Sequence, residues 1–252
     1  MKMLAQAVAM GAAAALLSQG IAFAAEVKVI AATPMKAVVE ELGQRFERET
    51  GHRLVTRVVS GPVVKRQIDA GEHFDAAISI TPVIDALVKE GKIVRATRTA
   101  VAYAGVGVGV RDGAPRPDIG SADALRRALL GAQSVAHSAE GASGTYFKNL
   151  LERLGIAEEM KPRLRPMPAD RLGHAVPRGE AEMIVVTISV IVANGVALVG
   201  PIPAELQFYN TFAAGVMDGA GEPEAAAALI RFLTMPSAVP VIRSKGMEPG
   251  VP

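Results

Sequence analysis

Three apolar segments of this sequence each end in a small hydroxyl or glycine turn and lead at once into a segment with helical spacing of apolar residues. The transitions lie at Thr33, at Ser60-Gly61 and at residues 141–144. A helix start offers backbone N–H groups without intrahelical partners, together with the positive end of the helix dipole. Several such starts that meet at one place can bind an anion. The sequence therefore predicts capture of an anion before it predicts any chemical reaction.

Strand-like and helix-like segments alternate along the chain. A continuous apolar run at residues 27–32 indicates a buried parallel strand, and residues 54–59 and 74–80 are predicted as the second and third strands, each strand being followed by a predicted helix. A long strand of small residues, 100–110, then changes the pattern, and we expect the chain to cross there into a second lobe. This alternation predicts an α/β fold with mainly parallel sheets and right-handed crossovers. The predicted lobes comprise residues 25–104 with 205–252, and residues 105–204.

The first 24 residues have the three-part pattern of a secretory signal peptide. Lys2 precedes an apolar, alanine-rich run over residues 4–17, and Ala22-Phe23-Ala24 is typical of a cleavage site. The alternative is a membrane anchor, but the run is shorter than the roughly 20 residues that span a bilayer. We therefore expect a protein of the periplasm without a stable membrane anchor once the signal peptide is removed.

Composition excludes several classes of function. The sequence has no cysteine, which excludes disulfides, thiolate nucleophiles and cysteine-ligated metals. Its 27 Lys and Arg nearly balance its 25 Asp and Glu, so no surface for nucleic acid is expected. The histidines are scattered without the spacing of a zinc site. We predict neither a metal nor another cofactor.

Helix capping is the simpler explanation for each hydroxyl turn, because Ser and Thr begin many helices and a cap contributes about 1 kcal/mol. The position of the turns favours a ligand, since ligands of open parallel sheets bind beyond the carboxyl ends of the strands. Glycines in residues 141–144 would also let backbone N–H groups approach a ligand closely. That segment lacks the Lys-Ser/Thr of a nucleotide-binding loop. The basic residues Arg171, His174 and Arg178 are interpreted as a solvated helix face.

A set of short motifs extends along most of the chain. Among them are Ala31-Ala32-Thr33, Ser60-Gly61, Asp75-Ala76-Ala77-Ile78-Ser79 and Gly179-Glu180-Ala181-Glu182. In these the chain resembles the molybdate-binding proteins of the bacterial periplasm, from about residue 26 to residue 249. The resemblance implies a two-lobed type 2 periplasmic-binding-protein fold with the ligand cleft between the lobes. It also implies a small anionic ligand and the permease of an ABC transporter as partner.

The resemblance also implies which residues hold the anion. Thr33 and Ser60 match two serines of the family motif, and residues 142–144 match its helix start in the second lobe. The run over residues 184–189 carries Thr187 where the family has a tyrosine, so an anion is implied without specifying molybdate. The candidate ligand-binding residues are Thr33, Ser60, Gly61, Ala142, Ser143, Gly144 and Thr187.

An enzyme is the alternative. The segments at residues 113–119, 143–146 and 246–249 are similar to those of the periplasmic aconitate isomerase branch of the same superfamily. That likeness implies proton transfer on an unsaturated tricarboxylate, which requires a base with a pKa near neutrality. His137 is the first candidate base and Glu140 the second, although a structural role is more common for a histidine such as His137. Because anion holding alone explains every motif, the sequence favours a binding protein.

Overall fold

The computed structural model describes residues 24–250. The predicted signal peptide, residues 1–24, lies outside this part of the chain except for its last residue. The strands are β1 (Glu26–Ala32), β2 (Arg53–Val59), β3 (Ala76–Ile80), β4 (Thr99–Val110), β5 (Val135–Ser138), β6 (Leu164–Met167), β7 (Met183–Thr187), β8 (Ala197–Pro201), β9 (Tyr209–Val216) and β10 (Glu248–Pro249). The α-helices are α1 (Lys36–Thr50), α2 (Gly61–Asp69), α3 (Thr81–Lys89), α4 (Ala122–Gly131), α5 (Ala142–Arg153), α6 (Ala157–Met160), α7 (Ala169–Leu172), α8 (Ile188–Ala193), α9 (Pro223–Leu233) and α10 (Val239–Ser244). Short 3-10 helices lie at Thr33–Met35, Arg95–Thr97, Lys161–Arg163, Ala204–Leu206 and Pro236–Ala238.

The described strands form one curved sheet in the order β2-β1-β3-β9-β4-β7-β5-β6, and β8 and β10 pair with β4. In one lobe β1 pairs in parallel with β2 and β3, and in the other β5 pairs in parallel with β6 and β7. Between these groups lie β9 and β4, which pair antiparallel with their neighbours. The predicted α/β class and two-lobed fold are confirmed, and the antiparallel strands are a feature that the pattern of the sequence did not indicate.

The long strand β4 contributes to both lobes. Up to Gly105 it pairs with β9, and from Val106 onward it pairs with β7. At Val106, where β4 changes partner, the side-chain amide of Gln207 forms two hydrogen bonds to the backbone. It accepts from the Val106 N–H at 2.9 Å and donates to the Val106 carbonyl oxygen at 3.0 Å. Farther along, a Cβ atom at Gly107 would lie only 2.7 Å from Ile188, so the small residues of β4 allow α8 to pack closely. The predicted limits of the lobes, 25–104 with 205–252 and 105–204, stay a prediction.

Each lobe has a core on both faces of its part of the sheet. In the first lobe, Val29 and Phe46 belong to the cluster on one face, whereas Ile30 and Leu87 belong to the cluster on the other. In the second lobe, one cluster surrounds Phe147 and another forms against α8. Burial on both faces explains why β1 reads as a continuous apolar run rather than an alternating one.

The last two α-helices, α9 and α10, pack on the core of the first lobe. Leu229 of α9 and Ile242 of α10 are fully buried there. Among the described residues no single helix has the length and apolar composition of a membrane span, although residues 223–233 and 236–244, bent by 60°, meet those criteria as a pair.

Candidate functional site

A cavity of about 40 Å³ lies between the lobes, where β1, β5 and β7 end and helices begin. Six of the seven candidate ligand residues line it: Thr33, Ser60, Gly61, Ala142, Ser143 and Thr187. Two further polar residues that sequence reasoning missed, Ser138 and Asn210, also line it. Among the described residues that form its wall, none carries a charged side chain. Any charge brought into this cavity would therefore meet hydroxyl, amide and backbone groups only.

The hydroxyls of Ser60, Ser79 and Ser189 are buried without a hydrogen-bond partner in the described residues, and of these three only Ser60 lines the cavity. Ser60 stands at the start of α2 with extended backbone, but its side chain makes no capping hydrogen bond. Ser60 is only 9% exposed, and its Oγ atom has no hydrogen-bond partner in the described part of the chain. A buried polar group without a partner costs about 1–3 kcal/mol, so such groups usually have a ligand, water or functional reason. Capping, the simpler explanation from sequence, does not account for this side chain.

Thr33 ties the ends of two strands together. Its hydroxyl donates to the Val59 carbonyl oxygen at 3.0 Å, which links the end of β1 to the end of β2 beside Ser60. The 3-10 helix at Thr33–Met35 begins with no side-chain cap, and Pro34 occupies its first turn. The single hydrogen of the Thr33 hydroxyl is therefore engaged by the neighbouring strand, although Thr33 lines the cavity.

The start of α5 forms the opposite wall. The Ser138 hydroxyl oxygen accepts a hydrogen bond from the Gly141 N–H at 2.8 Å, which leaves the Ser138 hydrogen available to another acceptor. Ala142 and Ser143 follow in the first turn, where backbone N–H groups have no intrahelical partner. Ser143 is buried although it faces the cavity. This wall therefore presents hydrogen-bond donors, as the predicted anion site requires.

Gly144 departs from its predicted role, because it does not line the cavity. A Cβ atom at this position would overlap the carbonyl oxygen of Ser138. The glycine is therefore required for the close packing of α5 on the end of β5. The contribution of Gly144 to ligand binding is indirect, because the glycine determines how closely the first turn of α5 approaches the cavity.

Thr187 and Asn210 link β7 of the second lobe to β9, which lies between the lobes. The Asn210 side chain donates to the Thr187 hydroxyl oxygen at 2.9 Å, and both residues are buried. With its oxygen engaged as an acceptor, the Thr187 hydroxyl keeps its hydrogen for a group in the cavity. Thr187 ends β7, whereas Asn210 lies near the start of β9. No pattern in the sequence singled out Asn210, which stands between Tyr209 and Thr211.

Neither predicted base lines the cavity. His137 is 1% exposed, with Nδ1 at 3.0 Å from the Ser138 carbonyl oxygen and its ring packed against Phe147. Burial lowers the pKa of His137 below its usual value, so the ring is neutral at pH 7. The Glu140 side chain is 56% exposed and forms an ion pair of 2.9 Å with Arg66. Strand β5 directs His137 into the core, and the loop directs Glu140 to the surface.

A family model for bacterial extracellular solute-binding proteins matches residues 27–248. The chain belongs to this family. Aconitate isomerase of Pseudomonas sp is 28% identical over 230 residues, which cover 88% of this chain and 87% of that protein. The molybdate-binding protein ModA of Azotobacter vinelandii is 27% identical over 230 residues, with 88% and 90% covered.

Solved structures of the same fold include other solute-binding proteins. The periplasmic molybdate-binding protein of Azotobacter vinelandii superposes with a TM-score of 0.76 at 19% identity, covering 90% of this chain and 99% of that chain. The sulfate-binding protein SubI from Mycobacterium tuberculosis H37Rv superposes with a TM-score of 0.69 at 17% identity, with 89% and 87% covered. At these identities the structures show a shared fold. They agree with the type 2 solute-binding architecture expected from the motifs.

Among residues 24–250, no group of three or more His, Asp or Glu side chains is arranged to hold a metal ion. Within this solute-binding protein the interlobe cavity thus combines neutral donors from both lobes: hydroxyls of Ser60, Ser138, Ser143 and Thr187, and the helix starts at Gly61 and Ala142.

Proposed function

We propose that this solute-binding protein captures a small, fully ionised anion in the interlobe cavity and delivers it to an ABC importer in the periplasm. The ligand class comprises tetrahedral oxyanions, such as molybdate, and the carboxylate group of a compact acid. The observation that carries the proposal is the buried Ser60 hydroxyl, which has no partner in the described chain and belongs to a residue that lines the cavity beside other donors. An anion oxygen would supply the missing partner.

The neutral lining favours ligands that carry no proton of their own. Hydroxyls and helix N-termini stabilise negative charge without a cationic side chain. A protonated oxyanion, such as hydrogen phosphate, would also need an acceptor, and no carboxylate lines the cavity in residues 24–250. We therefore expect sulfate, molybdate or tungstate, which are fully ionised near pH 7, to bind better than phosphate.

Closure of the cleft follows from the placement of the donors. Ser60 and the helix start at Gly61 belong to the predicted first lobe, whereas Ser143 and Thr187 belong to the predicted second lobe. A ligand that contacts both sets binds the closed arrangement more tightly than the open one, so it shifts the population toward closure. A closed, loaded form that differs from the open one is what a permease of an ABC importer needs to recognise.

Calorimetric titration of the purified protein tests the proposal. Molybdate, tungstate, sulfate and phosphate are titrated into the wild type and into the variants Ser60→Ala and Ser60→Ala/Ser143→Ala. A hydrogen bond to a charged group contributes about 1.5–3 kcal/mol, so each lost hydroxyl weakens binding about 10- to 150-fold. Ser121→Ala is the matched control, because Ser121 caps α4 by accepting from the Ala124 N–H at 3.2 Å. Equal affinity in the wild type and the double variant would contradict the proposed site.

An isomerase of unsaturated tricarboxylates is the second candidate function. It is favoured by the 28% identity to an aconitate isomerase over 88% of this chain. The positions of His137 and Glu140 outside the cavity lining do not support it. The test is incubation of the protein with trans-aconitate in D2O, followed by proton NMR. Formation of cis-aconitate with deuterium incorporation would establish the enzyme, and absence of conversion would leave the binding function alone.

A further inference from the structure

Three cavities of the interlobe cleft meet at Ala169, the first residue of α7. Ala169 lines the inner cavity of about 40 Å³ and also two outer grooves. The basic groove, of about 180 Å³, is lined by Lys36, Val58, His174 and Asn194 among others. The acidic groove, of about 290 Å³, is lined by Val63, Ala139, Glu140 and Pro168 among others. Ala169 is thus the wall between the inner cavity and both outer spaces.

The size of the inner cavity limits what it can enclose. A single water needs about 10–15 Å³ by this measure, so 40 Å³ accommodates roughly three water-sized groups. That is enough for one carboxylate or a compact oxyanion, but not for a ligand with several carboxylates. A longer ligand would have to continue past Ala169 into one of the two grooves. Thr33, Pro34 and Val190 line both the inner cavity and the basic groove together with Ala169, so the two spaces adjoin there.

Charge distinguishes the two grooves. The basic groove contains the Lys36 ammonium and the His174 imidazole beside one carboxylate, that of Asp170. The acidic groove contains Glu140 and the same Asp170, and the Arg66 guanidinium beside it is already paired with Glu140. Lys36 is only loosely engaged, with its Nζ atom 3.8 Å from Glu40 on the same helix. A second acidic group on a ligand is therefore favoured in the basic groove and disfavoured in the acidic one.

We propose that the ligand is a di- or tricarboxylate, held at one end in the inner cavity and extended past Ala169 into the basic groove toward Lys36. This inference rests on the proposed function of the inner cavity as an anion site. Ala169 determines the permitted ligand length, because a larger side chain would close the passage. Lys36 determines the preference for a second negative group.

Titration of wild type, Ala169→Val and Ala139→Val with tricarballylate and with molybdate tests the role of Ala169. Two added methyl groups at the junction should weaken tricarballylate binding at least about tenfold by steric overlap, and should weaken molybdate binding less, because molybdate contacts Ala169 from the inner cavity only. Ala139→Val makes the same change in the acidic groove only and should leave both affinities unaltered. Equal tricarballylate affinity in wild type and Ala169→Val would overturn the inference. An equal loss for both ligands would overturn it too, because the residue would then not discriminate by length.

Lys36→Met tests the charge. This variant should weaken tricarballylate binding about two- to fivefold, because the partly exposed ammonium is partly screened, and leave molybdate unaffected. Lys161→Met is the control. Lys161 directly follows α6, is exposed and is paired with Glu158, but it lines neither groove. Binding of molybdate with no binding of tricarballylate to the wild type would overturn this inference and leave the proposed function intact. If Ser60→Ala changed neither affinity, the proposed function itself would fail.

Discussion

Replacing Ser60 by alanine should move stability and ligand affinity in opposite directions. The wild-type hydroxyl is buried and has no partner in the described chain, so the unliganded protein bears part of the cost of burying it, which is about 1–3 kcal/mol. Because Ser60 makes no capping bond, the usual loss from an N-cap substitution does not offset this gain. We expect Ser60→Ala to stabilise the unliganded protein by about 1 kcal/mol, a rise in Tm of roughly 2–4 °C for a chain of this size.

The assay is urea unfolding without ligand, combined with calorimetric titration of the same preparations. Ser121→Ala provides the contrast, since its hydroxyl does cap a helix and its loss should destabilise by about 1 kcal/mol. The affinity of Ser60→Ala for the anion should be about 10- to 150-fold lower than that of the wild type. Destabilisation of Ser60→Ala to the same extent as Ser121→Ala, with unchanged affinity, would refute the reasoning and return Ser60 to a purely structural role.

Three further outcomes follow from the structure. Gly144→Ala should destabilise by at least about 2 kcal/mol in urea unfolding, because its Cβ would overlap the Ser138 carbonyl; wild-type stability would contradict that packing. Because burial lowers the pKa of His137, the unfolded chain binds more protons below about pH 6.5, so stability falls as pH drops below that value. His137→Phe should reduce this slope, and an unchanged slope would exclude His137 as its source. Glu140→Gln should change the free energy of unfolding by less than about 1 kcal/mol and leave anion affinity nearly unaltered, since its ion pair with Arg66 is exposed; a large loss of affinity would place Glu140 at the ligand.

The parallel parts of the fold were predictable because they are encoded locally. The apolar run over residues 27–32 corresponds to β1 and the apolar-rich segment 74–80 to β3, since strands with both faces covered are built mainly of apolar residues. The antiparallel pairing of β4 with β9 was not predictable in this way. It joins residues about one hundred positions apart, and no local pattern specifies such a register.

Candidate site residues could be predicted where they directly follow a parallel strand. They could not be predicted where their position depends on contacts between elements that are distant in the sequence. Thr33 and Ser60 could be found because each follows a strand whose carboxyl end faces the cleft. Asn210 could not, since it lies near the start of β9, and its place in the cavity wall depends on the pairing of β9 with distant strands. Gly144 was predicted to contact the ligand because a glycine leaves space beside the backbone. The sequence does not show that the Ser138 carbonyl oxygen occupies this space.

Ligand titration monitored by thermal unfolding tests the central claim most directly. The purified wild type and Ser60→Ala/Ser143→Ala are each heated with molybdate, tungstate, sulfate and tricarballylate. At about 100 times its dissociation constant a ligand adds about 2.7 kcal/mol, which raises Tm by roughly 5–10 °C for a chain of this length. The account predicts such a shift with at least one of these anions in the wild type and its loss in the double variant. The absence of any shift in the wild type, or an equal shift in both proteins, would contradict an anion site formed by these hydroxyls.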